Sequence, residues 1–395
     1  MALHHPPAPG EPPRPSRGTR EVLPSRAVVR ARDHGIAIGR FRPGERNAIT
    51  DVAGVRVGHA TVRSEAPAVL RTGVTTIWPH GGEPWRDRVY AGTAILNGYG
   101  ELIGVNQVNE WGLLHSPIVV TSSLAIGMAY HATARWIAER DPAQGRSDVF
   151  MPVVTECDDS FLNDARAFAL TEEHVARALE TSRDGEVEEG CVGAGTGMQC
   201  FDFKGGIGTA SRVLPTDDGG WTVGVLVCTN FGARPDLLIA GVPVGIEIPD
   251  LMPQAHAEGS CVVVTATDAP MLPHQLRRLA LRSAMGLVRC GSIGANGSGE
   301  LMLAFSTAQT VPRAAPGSRL RVEALLDGAF WHEPSAFDPL FTATIEATEE
   351  AVVNALFAAE TTVGRDGNAQ HALPIDRTLG ILERHGRLRP AQPSV

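Results

Sequence analysis

The run CVVVTATD, residues 261–268, constrains this chain more than any other. It is a nearly continuous apolar, β-branched strand with no polar alternation, so both of its faces must be covered. ELMLAFST, residues 300–307, reads the same way. Further strands are expected at TGVTTIWP, TAILNG, PIVVT, MPVVTE, TVGVLVCTN and LLIAGVPVG, from their length, β-branching and Gly, Asn or Pro borders. Alternating apolar positions and glycine turns in NAITDVAGVRVGHAT, residues 47–61, predict a hairpin.

Three segments are helical in character. In SSLAIGMAYHATARWIAERD, Leu124, Met128, His131 and Ala132 share a face, and the serine pair is placed to cap the N-terminus. After Asp268, an expected N-cap, Leu272, Leu276, Leu279, Ser283 and Leu287 follow at helical spacing until Gly291. EATEEAVVNALFAAE, residues 346–360, turns Ile345, Val352, Val353, Leu356 and Phe357 inward. Helices interspersed with many strands predict layered α and β structure. The opening MALHHPPAPGEPPRPSRGTREVLPSR is rich in Pro, Arg and Ser. We expect a disordered tail over 1–35 and one domain over 36–395.

Composition removes several functions. The net charge of −9 argues against a nucleic-acid footprint. No run reaches a membrane span and no signal peptide opens the chain, so a cytoplasmic protein without a membrane partner is expected. The six cysteines contain no C-x-x-C and read as buried free thiols; H-E-x-x-H is absent, and no metal site or cofactor is expected. GAGTG (193–197) and GANGSG (294–299) lack the phosphate-loop ending and read as turns or close backbone approaches. His115, His131 and His274 read as packing or surface residues, and the pairs Asp158-Asp159 and Glu188-Glu189 as solvated loops.

Gly259-Ser260 stands at the mouth of the 261–268 strand. A turn is the ordinary reading. The alternative makes Ser260 a nucleophile that becomes a new N-terminus. A serine hydroxyl needs a base, and a free α-amino group, with a pKa of roughly 7.7–8.0, is one. Self-cleavage between Gly259 and Ser260 would supply hydroxyl and amine from one residue. Ser298 and Glu300, two apart at a strand start, can share a face. If the two apolar strands lie side by side, both clusters open at one end of one sheet.

GSCVVVTATDAPMLPHQLRRLA and GSIGANGSGELMLAFST, with GAGTGMQCFDFKGGIGTASR, LVCTNFGARPDLLIAGVPVG and GRDGNAQHALP, resemble the self-processing family of the L-aminopeptidase/D-amino-acid esterase and the β-peptidyl aminopeptidases. The resemblance runs from about residue 40 to the C-terminus. It implies a four-layer αββα sandwich of the α+β class, similar in architecture to N-terminal-nucleophile hydrolases but differently connected. It also implies cleavage into an α chain, 1–259, and a β chain, 260–395, assembled as a tetramer of αβ units. Residue by residue, it makes Ser260 the nucleophile, with Ser298 and Glu300 completing the catalytic group. Asn230 is then the oxyanion donor, and Glu156 the ligand of the substrate's amine. Some members carry tyrosine where this chain has Asp158. Asp158 cannot donate to an oxyanion, so either Asn230 and a backbone N–H serve alone or Asp158 helps hold the ammonium group.

The resemblance implies hydrolysis of the bond after the first residue of small peptides, amino-acid amides or esters, with no cofactor. Three alternatives stand beside it: an ω-amino-acid oligomer hydrolase, acyl transfer of the ornithine acetyltransferase kind, and a non-processing binding protein on the same scaffold.

Overall fold

The computed structural model describes residues 29–255, 259–314, 317, 319–327 and 335–388. Its main elements, in chain order, are strands β1 (Arg56–Ser64), β2 (Leu70–Trp78), β3 (Asp87–Gly98), β4 (Leu102–Ile103), β5 (Leu113–Leu114) and β6 (Ile118–Ser122), helix α1 (Ile126–Ala138), strand β7 (Val153–Cys157) and helix α2 (Glu172–Glu180). There follow β8 (Ile207–Val213), β9 (Thr222–Asn230), β10 (Ser260–Thr267), helix α3 (Pro273–Arg289), β11 (Gly299–Pro312) and helix α4 (Phe337–Ala358).

The strands form two main sheets. One runs β1-β2-β6-β7-β4 and the other β8-β9-β10-β11-β3-β5. Strand periodicity explains how they stack. In β10, Val262 and Val264 point between the sheets, where they meet Leu226, Leu301, Leu303 and Phe305 of their own sheet and Ile77, Val120 and Val153 of the other. Val263, on the opposite face of the same strand, packs with Leu276 and Leu279 of α3 and Val352 and Leu356 of α4. On the first sheet, Val74, Val119 and Val154 meet Ala129 and Ile137 of α1 and Val175 and Leu179 of α2. The layer order is therefore αββα, as expected. β10 is buried along its whole length, which is why it carries no alternation.

Several local expectations change. Residues 47–61 do not form a hairpin by themselves: β1 pairs antiparallel with β2, and 49–51 is a short 3-10 turn. LLIAGVPVG is not a strand. It contains one isolated bridge, Ile239 to Val242, and enters a short helix at Val244–Glu247. Its apolar side chains instead plug the second sheet's helix-side core. In α1 the buried face is Ala129, Ala132, Thr133 and Ile137, while Leu124 is exposed. Ser122 and Ser123 cap nothing, because their hydroxyls are taken by carboxylates. Asp268 does not cap α3 either; its carboxylate accepts the Thr222 N–H at 2.7 Å.

The proline-rich tail lies, up to residue 28, outside the described residues. Order begins before residue 36, a correction to the expected boundary. Ala31 is fully buried in a 3-10 turn over Ala31–His34, and Arg32 pairs with Glu350 at 2.6 Å. Glu350 is itself buried against Arg212 at 2.7 Å, so Arg32 joins a buried charge cluster that would otherwise be less completely satisfied.

Candidate active site

Three strand ends converge on one corner of the six-stranded sheet. Antiparallel register sets Asn230, the last residue of β9, opposite Ser260, the first residue of β10. Parallel register sets Ser260 beside Gly299, the first residue of β11. Ser298 and Glu300 flank that glycine, and the Ser298 hydroxyl donates to Glu300 Oε1. The Gly299 N–H donates to the Gly259 carbonyl at 3.2 Å, tying the two clusters together across the bond in question. Ser260, Asn230, Ser298 and Glu300 are each exposed by 4% or less, so water can satisfy few of their polar atoms and most pair within the protein.

Asn230 Nδ2 lies 3.4 Å from Ser260 Oγ and donates to the Asp158 carbonyl at 2.9 Å. On its other side Asn230 Oδ1 accepts the Gln199 N–H at 3.3 Å. These two backbone partners fix which end of the amide carries hydrogens. Glu300 Oε2 is buried and has no hydrogen-bond partner among the described residues, and Glu300 lines a cavity of about 310 Å³ together with Gly259, Ser298, Phe231 and Ile293. Gly259 is tightly held. A Cβ there would lie 3.1 Å from the Asn230 carbonyl oxygen, 3.2 Å from Phe231 Cα and 3.2 Å from Ser298 Oγ.

Glu156 is the penultimate residue of β7, on the facing sheet. Its Oε1 accepts the Glu101 N–H at 2.9 Å and its Oε2 accepts the Ser123 hydroxyl. Burial, opposed by these two hydrogen bonds, raises its carboxyl above the usual range, and nearby Asp158 and Glu101 add to the rise. It approaches the same corner: a Cβ on Gly100 would lie 3.2 Å from Glu156 Oε1 and 3.7 Å from Gly299 Cα. Asp158 is exposed, and its carboxylate accepts the Ser160 N–H and hydroxyl, each at 2.9 Å. Cys157 is buried; its contact with Cys228 and its burial raise the thiol far above the usual range, so it stays protonated.

The residues read from sequence thus meet at one corner, with Asp158 contributing its main chain to Asn230. Sequence reading missed Ser123, Gln199 and the Glu101 N–H. Their only signal is the tertiary contact itself, since none has a distinctive spacing. Of the two acidic pairs, Asp158 and Glu188 are exposed as expected, whereas Asp159 and Glu189 are buried. Burial, only partly offset by hydroxyl and amide donors, raises Asp159 to about 6. GAGTG is a buried 3-10 turn whose glycines permit close approach; a Cβ on Gly197 would lie 2.3 Å from the Arg71 carbonyl oxygen. All six cysteines are buried free thiols. His131 and His274 are surface residues and His115 a packed one, held near 4 mainly by burial.

The arrangement juxtaposes a buried hydroxyl, an oriented amide donor, a hydroxyl–carboxylate pair and a further buried carboxyl group, Glu156. Acyl-transfer chemistry draws on groups of these kinds. The β-peptidyl aminopeptidase BapA of Sphingosinicella microcystinivorans is 42% identical to this chain over 386 residues, covering 92% of this chain and 94% of its own. A Burkholderia sp. β-aminopeptidase superposes with a TM-score of 0.83 at 43% identity, over 91% of this chain and 100% of its own. The L-aminopeptidase D-Ala-esterase/amidase of Ochrobactrum anthropi, described as a prototype of the serine aminopeptidases and a new variant of the Ntn hydrolase fold, gives 0.84 at 42% identity, over 91% and 99%. The model of peptidase family S58 matches residues 47–370, a span that contains every residue of the corner described above, and this chain belongs to that family.

Proposed function

We propose that this aminopeptidase uses Ser260 as its nucleophile and matures by cutting itself between Gly259 and Ser260. The observation that carries the reading is the meeting of Asn230, Ser260 and the Ser298–Glu300 pair at one sheet corner. In the intact chain the Ser260 nitrogen is an amide and cannot act as a base. Cleavage frees it, with a pKa close to neutral pH.

The Ser260 hydroxyl then attacks the carbonyl of the substrate's first residue, and the Ser260 amine takes the hydroxyl proton. The Asn230 amide donates to the oxyanion. Such a donor is worth roughly 2.7–4 kcal/mol. The ammonium passes its proton to the departing amine, and the C–N bond breaks. Water, deprotonated by the same amine, hydrolyses the ester on Ser260 and releases the free residue. Ser298, held by Glu300, orients the Ser260 amine in this cycle. Glu156 receives the substrate's ammonium group. It is a buried carboxylate surrounded by two neutral donors and two acidic neighbours, so a cation supplied by the substrate relieves its desolvation.

Small peptides and amino-acid amides are the substrates on this reading, with β- as well as α-aminoacyl groups accepted. The mature units, 1–259 with 260–395, assemble as a tetramer. Exposed Leu281, Met285 and Val288, at helical spacing on α3, support an interface there.

Intact mass and N-terminal sequencing of active protein test the core of this. A second chain beginning at Ser260, absent from Ser260→Ala, is expected. An active enzyme with the 259–260 bond unbroken would refute it. A panel of β-alanyl, L-aminoacyl and D-aminoacyl amides alongside a 6-aminohexanoate dimer defines the range.

A further inference from the structure

Asp158 stands beside the proposed centre with two roles open to it: a second ligand for the substrate's ammonium group, or a support for the machinery. Its contacts favour support. Both carboxylate oxygens are engaged within its own turn, Oδ1 by the Ser160 N–H and Oδ2 by the Ser160 hydroxyl, each at 2.9 Å. Such a side-chain bond to the backbone two residues on holds the intervening peptides in a fixed orientation.

The carbonyl of the same Asp158 accepts Asn230 Nδ2 at 2.9 Å, a shorter contact than the 3.4 Å from that nitrogen to Ser260 Oγ. An amide nitrogen carries two hydrogens in a plane. With one committed to the Asp158 carbonyl and the amide oxygen held by the Gln199 N–H, the second is left directed toward Ser260. The turn therefore sets the direction of the donor that the reaction needs.

We propose that Asp158 is a positioning residue: its carboxylate closes the Ser160 turn, aims its own main-chain carbonyl at Asn230, and so keeps an Asn230 hydrogen on the reacting carbonyl. This rests on Asn230 serving as the oxyanion donor, as read above.

The test is steady-state hydrolysis of an L-aminoacyl amide and a β-alanyl amide, with kcat expressed per processed subunit measured on denaturing gels. Asp158→Ala is expected to lower kcat about tenfold, a fraction of the roughly 10²–10³ that removing an oxyanion donor costs, with KM within about twofold. Asp158→Asn restores kcat to within about threefold, because its side-chain oxygen still accepts from Ser160. In an Asn230→Ala background the Asp158→Ala change has no further effect, because the group it orients is already gone. If Asp158→Ala fails to mature, Ser160→Ala carries the test, with kcat lowered about two- to threefold at unchanged KM.

Unchanged kcat in Asp158→Ala overturns the proposal, as do losses that multiply in the double variant. So does a KM raised alike by Asp158→Asn and Asp158→Ala, which would make the charge a substrate ligand. Wild-type kcat in Asn230→Ala alone refutes the oxyanion assignment itself, a failure separate from the Asp158 results.

Discussion

Glu349 of α4 is 3% exposed at its side chain, and burial raises its carboxyl to about 7 from an ordinary 4.5. Arg289 Nε lies 2.8 Å away but out of hydrogen-bond alignment, so the attraction offsets burial only in part. Glu346 and Glu350 oppose ionisation further. A carboxyl raised on folding stabilises the protein below its unfolded pKa, and that stability disappears as pH rises through the folded value. At 1.36 kcal/mol per pH unit, the gap from 4.5 to about 7 amounts to about 3 kcal/mol, of which about 2 kcal/mol falls between pH 5 and pH 8. Glu349→Gln abolishes the titration while keeping the shape. The stability of the variant relative to wild type should therefore rise by about 2 kcal/mol from pH 5 to pH 8. For a chain of this size that is a differential Tm gain of about 2–3 °C. Thermal unfolding of both proteins at pH 5, 6, 7 and 8 measures it. A gain equal at all pH values refutes the reasoning, and so does a loss that deepens toward pH 8, which would make the Arg289 ion pair the dominant effect.

Other expectations concern the site and core. Gly259→Ala, whose Cβ would press on Asn230, Phe231 and Ser298, should slow self-cleavage by at least about tenfold on time-resolved denaturing gels; a wild-type rate would show that the local fit is not restrictive. Glu156→Gln should raise KM for amine-bearing substrates about 10- to 100-fold, the worth of one charge-assisted hydrogen bond, and unchanged KM would remove Glu156 from the amine site. In wild type the acid limb of kcat/KM that reports Glu156 should lie above the ordinary glutamate range, because burial raises that group. Phe305→Ala, fully buried between the sheets, should destabilise by about 3–5 kcal/mol in denaturant unfolding, with a smaller loss indicating that the sheets close over the space.

Much of this protein is determined by its sequence alone. The unalternated apolar runs at 261–268 and 300–307 require strands covered on both faces, because strand geometry sends successive side chains to opposite sides. Helical spacing from Leu276 to Leu287 identifies the helix that covers one of them. The order of matched blocks marks out the family, and the residues it highlights do converge. Tertiary structure decided the rest, since hydrogen bonds and burial depend on partners far away in the chain. Ser122 and Ser123 look like helix caps until Glu156 of the neighbouring strand β7 and Asp159 from the segment just after it take their hydroxyls. LLIAGVPVG has strand composition, but among the described residues no strand pairs with it, so it packs as irregular chain. Asp158 reads as a carboxylate near the proposed centre, and only the folded backbone reveals that its oxygens are spent on Ser160 while its carbonyl turns to Asn230. Periodicity records which face of an element is buried; it carries no information about which distant polar group will be waiting there.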